Sequence, residues 1–439
     1  MAQLSRLVQI TSVLQAKYDV VVTNPPYLNK MDKTLKSYVK KYYKDYSGDL
    51  FSVFIWLNST MTVKDGYSAY MTPFVWMFIK TYEALRTKIL DTVSISSLIQ
   101  MEYSAFEEAT VPIDTFVLKN SHDQIGSYVK LSAFKGGMEV QRQKVLEAIN
   151  DPDCKYLYRA NQANFGKIPG SPLAYWASEA DIDAFVNNPS LGQLAPAQSG
   201  LKSGDNSKFI RAWWEPNFSA VGIGYTASEA KETQKKWFPH NKGGFFRKWF
   251  GNRELIVNYE QNGASIQKNG LLANKSFSFQ GAEHYFHEGI TWTAKTSSQN
   301  SFRYSPTGSI FDSNAGPMLF STNKTKLLVL LGLLNSTVVR HFLKFINPTI
   351  NLQNGDIDHI PVIHSLVNST LVSEKVASSV DITKHDYDSS ETSWDYQVGI
   401  LLPGIAEHTL ALLKKIGQIR PFAPNLCQII NHIKQRSVE

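Results

Sequence analysis

The stretch Asp19-Val20-Val21-Val22-Thr23-Asn24-Pro25-Pro26-Tyr27 decides the fold, because it joins a strongly apolar strand to a stiff turn. The three consecutive valines predict a central parallel strand that is covered on both faces. Asn24 precedes two prolines, so the backbone is extended and restricted, and neither proline nitrogen donates a hydrogen bond. The sequence therefore predicts a rigid loop with outward-facing carbonyl oxygens at the end of a buried strand.

This loop combines hydrogen-bond acceptors with an aromatic ring. The side-chain oxygen of Asn24 and the carbonyl oxygen of Pro25 form an acceptor pair that suits an exocyclic amine. Tyr27 offers a ring on which a flat heterocycle can stack. The combination predicts a site for adenine, and the alternative is a purely structural Pro-Pro turn.

The tetrapeptide Asn24-Pro25-Pro26-Tyr27 after a valine-rich strand resembles the catalytic motif of adenine-N6 DNA methyltransferases. The resemblance implies that these four residues are catalytic and that Tyr27 stacks on a flipped adenine. It also implies a second base-stacking aromatic further along the chain, and Phe106 occupies the matching place. The alternative for Phe106 is an ordinary core position.

Strand and helix patterns alternate after the loop. This alternation predicts an open α/β sheet with ligands at the carboxyl ends of its strands. A helix is also predicted at residues 1–17. Further strands are predicted at residues 66–73, 95–102 and 113–118, and helices at residues 51–60 and 74–87.

Two segments interleave basic and aromatic residues, which is typical of nucleic-acid contact. In residues 29–46, lysines alternate with tyrosines, and the alternative is a solvated helix face. In residues 200–249, glycines would let the backbone approach a ligand, and the alternative is a surface hairpin with buried aromatics. The predicted DNA contacts are Lys30, Lys33, Lys40, Lys41, Lys202, Asn206, Lys242, Arg247 and Lys248.

The order of the later motifs resembles that in the large single-chain methyltransferases of restriction-modification and bacteriophage-exclusion (BREX) systems, over residues 18–396. The predicted fold class is α/β, with a partial Rossmann-like methyltransferase sheet followed by an α+β target-recognition domain and a helical tail. The predicted boundaries are 1–137 for the catalytic part, 138–189 for a helical connector, 190–363 for the recognition domain and 364–439 for the tail.

Composition agrees with a nucleic-acid partner without requiring one. The net charge is +7 and the pI is near 9.0, which favours a polyanionic partner. The two cysteines, Cys154 and Cys427, lie far apart and suggest neither a disulfide framework nor a zinc site. We expect a cytoplasmic protein with no metal site and no membrane segment.

The resemblance implies S-adenosylmethionine as the methyl donor, yet the glycine-rich turn that would hold it is missing from this sequence. No such turn precedes Asn24, and no Phe-x-Gly-x-Gly motif follows it. The cofactor-binding residues therefore stay unassigned. We expect a truncated chain whose partner is an upstream polypeptide that carries the cofactor-binding half, or other phage-defence subunits. A short helical end is expected at residues 401–439.

The expected function is site-specific adenine-N6 methylation of double-stranded DNA, in phage defence or restriction-modification. The alternative is a non-catalytic DNA-binding or specificity module that needs a partner chain for cofactor binding.

Overall fold

The computed structural model describes residues 2–103, 105, 111–123, 125–296, 299–349 and 351–396. Phe106 and the predicted helical end at 401–439 therefore lie outside the described residues. The chain divides into two compact units after Asn187, and the short segment Lys344–Pro348 belongs with the first unit.

The first unit is built on a mixed sheet whose described strands are arranged in the order β1-β2-β4-β3-β5-β6. Strands β1, β2, β3 and β5 run parallel to one another, while β4 and β6 are antiparallel to their neighbours. The bounds are β1 Tyr18–Thr23, β2 Thr62–Pro73, β3 Ser94–Gln100, β4 Ile113–Lys119, β5 Ile125–Lys130 and β6 Leu157–Asn161.

Helices of the first unit connect these strands. The predicted helices at residues 1–17 and 51–60 and the predicted strands are confirmed to within a few residues. The helices are α1 Ala2–Gln15, α2 Lys33–Tyr42, α3 Leu50–Thr60, α4 Glu83–Thr92, α5 Gly137–Asn150 and α6 Glu179–Asn187.

The single helix predicted at residues 74–87 is wrong. Two short 3-10 turns, Phe74–Met77 and Lys80–Tyr82, precede α4. The buried guanidinium of Arg86 explains the break, because its Nη1 donates to the carbonyl oxygens of Trp76 at 2.7 Å and Ile79 at 2.8 Å. These carbonyls therefore bind a side chain instead of extending a helix.

The prediction of a central strand covered on both faces is also wrong. Among the described strands, β1 lies at the edge of the sheet and pairs only with β2. Val20 is 58% exposed and Val22 is 73% exposed. The apolar side chains of α1, including Leu7 and Leu14, are exposed as well. Apolar composition correctly indicated a strand, but the residues that would cover it are not among those described.

An aromatic core fixes the sheet behind the loop. The ring of Phe116 on β4 lies 4.9 Å from Tyr70 and 4.7 Å from Trp76, measured between centroids. All three side chains are buried. Residues 138–189, predicted as a helical connector, contribute β6 to this same sheet. Strand β6 was not predicted because it is short and mixes apolar with polar residues, of which Arg159 is exposed.

The second unit contains three small sheets among its described residues, in the orders β15-β10-β11-β9, β12-β8 and β14-β13-β16-β7. Their strands are β7 Ala197–Gln198, β8 Leu201–Lys202, β9 Ile210–Ala212, β10 Trp237–Asn241, β11 Leu255–Asn258, β12 Ser278–Phe279, β13 Gly289–Trp292, β14 Phe302–Ser305, β15 Ile310–Phe311 and β16 Met318–Leu319.

Helices lie between and after these short strands. They are α7 Leu191–Leu194, α8 Asn206–Phe209, α9 Ala227–Glu232, α10 Glu260–Ala273, α11 Lys324–Leu334, α12 Thr337–Ile346, α13 Asn354–Asp358 and α14 Thr370–Asp388. In the part of the chain that the structure describes, no single helix is long and apolar enough to cross a membrane. The pair α11 and α12, bent by 69°, meets that criterion jointly by length and composition.

Candidate target-base site and recognition surface

The loop of residues 24–28 leaves the carboxyl end of β1 and turns across the end of β2. Pro25 is buried, whereas Asn24 and Pro26 are exposed and Tyr27 is 39% exposed. The Tyr27 hydroxyl lies 3.1 Å from the Met71 carbonyl oxygen and 3.3 Å from Asn24 Oδ1. The structure thus brings the predicted acceptor and the predicted stacking ring together.

The geometry leaves Asn24 available to a ligand. A tyrosine hydroxyl has one hydrogen to donate, and the Met71 carbonyl is the nearer of its two acceptors. An amide oxygen has two acceptor positions, so Asn24 Oδ1 keeps at least one for an external donor even when Tyr27 donates to it. Because Asn24 is exposed, an incoming amine can reach that oxygen.

A buried carboxylate clamps the far end of the loop. Asp49 Oδ1 accepts hydrogen bonds from the backbone N–H of Leu28 at 2.7 Å and of Phe51 at 3.3 Å. Asp49 is also the N-cap of α3, so one side chain ties the loop to the start of that helix. The Leu50 N–H donates to the Leu28 carbonyl oxygen at 3.2 Å and closes the clamp.

A second buried carboxylate lies beneath the loop. Asp114 accepts hydrogen bonds from the Thr72 hydroxyl at 2.8 Å and from the Trp76 indole N–H at 2.9 Å. Burial raises the pKa of Asp114 to about 7, although these two hydrogen bonds lower it. Burial, and then the charge of Asp114, raise the pKa of the Tyr27 hydroxyl above its ordinary value, so Tyr27 stays a hydrogen-bond donor at neutral pH.

The sequence analysis missed Asp49 and Asp114 as parts of this site. The pattern Gly48-Asp49-Leu50 indicated the start of a helix, and an N-cap aspartate is the signal that could have identified the clamp. Asp114 gave no comparable signal, because it is one polar residue in a strand and its partners are distant in sequence. Phe106, the predicted second stacking residue, is outside the described part of the chain.

The predicted lysines beside the loop lie on or just before α2, and all four are exposed: Lys30, Lys33, Lys40 and Lys41. Asp32 caps the helix by accepting from the N–H groups of Thr34 and Leu35. Val39 is buried, so the helix has one anchored face and one basic face. The exposed rings of Tyr38 and Tyr42 lie 4.8 Å apart between centroids, tilted by 48°, and they are interspersed among the lysines.

The predicted contacts of the second unit are mostly engaged within the protein. Lys242 Nζ lies 2.5 Å from Asp312 Oδ2 and 3.4 Å from Asn206 Oδ1, so the structure brings Lys242 and Asn206 together. Lys202 Nζ donates to the Ser276 hydroxyl at 3.0 Å. Asn206 itself is exposed. The charge of Lys242 is therefore already balanced by a largely buried carboxylate.

Arg247 and Lys248 lie away from that cluster. The Arg247 guanidinium lies 5.3 Å from the centroid of the Tyr387 ring. Lys248 Nζ donates to the Asn335 carbonyl oxygen at 2.9 Å. Burial, followed by the nearby charge of Arg340, lowers the pKa of Lys248. Within the described ranges, no group of three or more His, Cys, Asp or Glu side chains is placed to hold a metal ion.

Comparison with known proteins identifies relatives of this chain. The family model of the Eco57I restriction-modification methylases matches residues 5–106, which include the loop. The adenine-specific methyltransferase PglX of Lacticaseibacillus casei (strain Zhang) is 36% identical over 419 residues, covering 92% of this chain and 34% of that protein. The chain is a homologue of the PglX-type adenine-specific methyltransferases.

A second relative supports the same assignment. The adenine-specific methyltransferase BrxX of Escherichia coli O9:H4 (strain HS) is 33% identical over 413 residues, covering 91% of this chain and 32% of that protein. The resemblance predicted from the motifs is therefore confirmed. The chain spans about a third of the length of these PglX-type relatives.

A solved structure shows a similar fold. The type IIL restriction-modification enzyme MmeI, determined in complex with DNA, matches 97% of this chain and 59% of its own chain with a TM-score of 0.54 and 11% identity. At that identity the likeness concerns the fold alone. It agrees with a mixed α/β fold for this chain.

No site for S-adenosylmethionine, the cofactor that this family implies, is assigned among the described residues. A donor site at the end of a parallel strand needs a glycine-rich turn that lets the backbone approach the ligand. The segments that directly follow β1, β2 and β3 contain no glycine, whereas after the parallel strand β5 the N-cap of α5 is Gly136 and its first residue is Gly137. The chemistry derived below is therefore that of the target base.

Proposed function

We propose that this chain carries the target-base site and the DNA-recognition part of a site-specific adenine-N6 DNA methyltransferase of phage defence or restriction-modification. Its substrate is double-stranded DNA, and S-adenosylmethionine supplies the methyl group when bound. The observation that carries the proposal is the exposed Asn24 oxygen beside the Tyr27 ring, in a loop clamped at the end of β1.

The adenine must leave the base stack to reach this loop. Extrusion costs a few kcal/mol, and stacking on the Tyr27 ring offsets about 1–3 kcal/mol of it. The N6 amine donates one hydrogen to Asn24 Oδ1 and the other to the Pro25 carbonyl oxygen. These bonds draw the nitrogen lone pair out of conjugation with the purine ring, which makes N6 a better nucleophile. Phe106 is proposed as the second stacking residue.

The DNA backbone is proposed to lie against the basic residues of both units. The exposed lysines of the α2 segment, Lys30, Lys33, Lys40 and Lys41, suit phosphates because no salt bridge is observed for them among the described residues. In residues 190–363, the proposed recognition domain, the contacts are Lys202, Asn206, Arg247 and Lys248. Lys242 contributes less, since Asp312 balances its charge.

The donor-binding half is proposed to pair along the open edge of β1. The exposed side chains of Val20 and Val22, and backbone groups that pair only with β2, suit a further parallel strand. That half is either joined to this chain or carried by an upstream polypeptide. The second candidate function, a non-catalytic DNA-recognition module, is favoured by the absence of a glycine-rich turn after β1, β2 and β3.

Methylation in cells tests the main proposal. The chain, produced together with the neighbouring upstream gene product in a host without adenine methylation, should place N6-methyladenine at one recurring site, as read by single-molecule sequencing. Asn24→Ala should abolish this mark, because the amine loses its acceptor. Asn150→Ala, at an exposed asparagine ending α5, should leave it unchanged. A mark retained in Asn24→Ala would contradict the role of Asn24.

Calorimetry separates the two candidates. S-adenosylmethionine is titrated into the chain alone and then into the chain with the upstream product. Binding in either case supports the methyltransferase. Absence of binding in both, with duplex DNA still bound, supports the recognition module.

A further inference from the structure

Phe245 is unusual among the aromatic residues of the second unit. Its side chain is 88% exposed, although exposing an aromatic ring to water is unfavourable. It lies near the start of a loop, residues 243–252, that follows β10 and that we call the Phe245 loop. Exposed rings are common on flexible loops. The tertiary hydrogen bonds of the Phe245 loop therefore decide whether its backbone is fixed.

Side chains hold the backbone on both sides of the ring. The Thr293 hydroxyl donates to the Gly244 carbonyl oxygen at 3.1 Å. The Asn252 side-chain amide donates to the Phe245 carbonyl oxygen at 2.8 Å. These two bonds fix the peptide planes on either side of Phe245, and so they fix the direction of its Cα–Cβ bond. The exposure of the ring is therefore built into the loop.

The other end of the loop is anchored in a sheet. The Trp249 N–H donates to the Phe302 carbonyl oxygen at 2.9 Å, and the Tyr304 N–H donates to the Trp249 carbonyl oxygen at 2.7 Å. Trp249 has a φ of 70°, in the left-handed region that a bulky residue rarely adopts. Such strain persists only where the surrounding structure enforces it, and it is concentrated at ligand-binding segments.

Glycines complete the shape of the loop. The φ angles of Gly243, Gly244 and Gly251 are 79°, 127° and 126°. A Cβ on Gly244 would lie 2.8 Å from the Asn252 amide, so only glycine leaves room for the bond that holds Phe245. Sequence and structure together thus serve to present one aromatic ring.

The surroundings of the ring indicate its partner. Arg247 and Lys248 follow it within three residues, and the charge of Arg340 is close to Lys248. Beside Phe245, the apolar surface of the loop consists of Phe246, which is 47% exposed, and Arg247 and Lys248 follow at once. The core of a protein interface is depleted of such charges. Cations directly after an exposed aromatic side chain match proteins that insert a side chain between stacked bases.

We propose that Phe245 inserts between adjacent base pairs of the duplex bound by the proposed recognition domain, residues 190–363. This inference rests on the proposed function, because it takes duplex DNA as the ligand. Insertion disrupts the stacking of two adjacent base pairs, and contact of the ring with the exposed base faces offsets that loss. Insertion increases the separation of two adjacent base pairs. Because the sugar-phosphate strands have a fixed length, the duplex untwists at that step.

The probe is a closed-circular plasmid relaxed by topoisomerase I in the presence of the chain and then stripped of protein. Untwisting by the bound chain leaves negative supercoils that grow with chain concentration. The wild-type chain and Phe245→Trp should both produce this shift. Phe245→Ala should lose most of it while still retarding the plasmid on a gel. Leu272→Ala, at an exposed apolar position 79% accessible on α10, should behave as wild type.

The outcomes separate the inference from the function on which it rests. Equal supercoiling by wild type and Phe245→Ala would overturn the inference, as would plasmid binding without any supercoiling. In both cases DNA binding, and hence the proposed function, would survive. Failure of the wild-type chain to bind the plasmid would overturn both. Thermal unfolding midpoints of the variants confirm that each one folds.

Discussion

The two loops of this protein present their ligand-facing groups by different physical means. The loop at residues 24–28 is stiffened by two prolines and clamped by the buried Asp49, and it exposes a polar acceptor. The Phe245 loop is stiffened by glycines in left-handed conformations and by side-chain bonds to its carbonyls, and it exposes an apolar ring. In the first loop the backbone is restricted largely by the covalent proline rings. In the Phe245 loop the backbone is restricted largely by tertiary hydrogen bonds.

This difference predicts how each loop fails. A proline-restricted loop keeps most of its shape when one tertiary bond is removed, because its φ angles remain fixed. A glycine loop has a larger set of accessible conformations and depends on its tertiary bonds. Substitutions in the two loops should therefore differ in size.

Among substitutions within the two loops and their clamps, the largest effect is expected for Gly244→Ala. The added Cβ meets the Asn252 amide at 2.8 Å and occupies a φ of 127°, so crowding and backbone strain add. We expect a loss of about 2–4 kcal/mol in the free energy of unfolding, measured by denaturant titration. Gly224→Ala is the matched control, because Gly224 has a φ of 79° and open space around its Cβ position. If both variants lost the same free energy of unfolding, crowding against Asn252 would not contribute to the effect of Gly244→Ala.

A smaller effect is expected for Asp49→Ala. The variant leaves the N–H groups of Leu28 and Phe51 without their acceptor, which costs about 1–2 kcal/mol. Chemical denaturation should show the loss, and Asp49→Asn, which keeps one acceptor oxygen, should recover part of it. If Asp49→Ala cost more than Gly244→Ala, the proposed contrast between the loops would be wrong.

The pH dependence of stability tests the site beneath the first loop. The folded-state pKa of Asp114 is raised to about 7, so the folded protein holds a proton that the unfolded chain releases near pH 4. Asp114 thus contributes stability at low pH that is lost as pH rises toward 7, on the order of 1.4 kcal/mol per unit of pKa difference. Asp114→Asn should flatten the profile of unfolding free energy between pH 4 and 7. If Asp114→Asn left the slope of unfolding free energy against pH unchanged, a group other than Asp114 would cause the pH dependence.

The smallest effect concerns the lysines beside the first loop. Replacing Lys33, Lys40 and Lys41 by glutamine should weaken duplex binding and reduce the slope of log affinity against log salt by about 0.9 for each phosphate that is no longer neutralised. Fluorescence anisotropy at several salt concentrations measures that slope. Arginine at the same three positions keeps the charge and should keep the slope. A slope insensitive to the glutamine changes would remove α2 from the DNA interface.

The sequence analysis identified the loop at residues 24–28 because consecutive residues determine its stiffness. The pattern Asn24-Pro25-Pro26-Tyr27 and the strand before it are both local, and the structure places them together. The bond of Asp49 to the loop and the buried contacts of Asp114 depend on partners 21 and 42 residues away. The helix-start pattern at Asp49 is a local signal for its capping role but not for its bond to Leu28, and Asp114 has no local signal at all.

The errors have physical causes as well. The helix expected at residues 74–87 fails because Arg86 binds the carbonyls of Trp76 and Ile79, a competition that helical periodicity does not express. The strand at residues 18–23 was correctly predicted as a strand, but not as an edge. A run of valines indicates that a strand suits a buried position. In the described part of the chain, however, no residues cover Val20 and Val22, which stay exposed. The engagement of Lys242 by Asp312, 70 residues away, is equally hidden from composition.

The central claim is that Asn24 holds the N6 amine of an extruded adenine. The most direct measurement compares the affinity of the chain for two duplexes that differ only in the unpaired base opposite an abasic site, adenine in one and purine, which lacks the amine, in the other. Wild type should prefer adenine by about 3- to 10-fold, the worth of one or two hydrogen bonds. Asn24→Ala should show a smaller preference, because only the acceptor at the Pro25 carbonyl remains for the amine. Equal binding by wild type, or an undiminished preference in Asn24→Ala, would contradict the account.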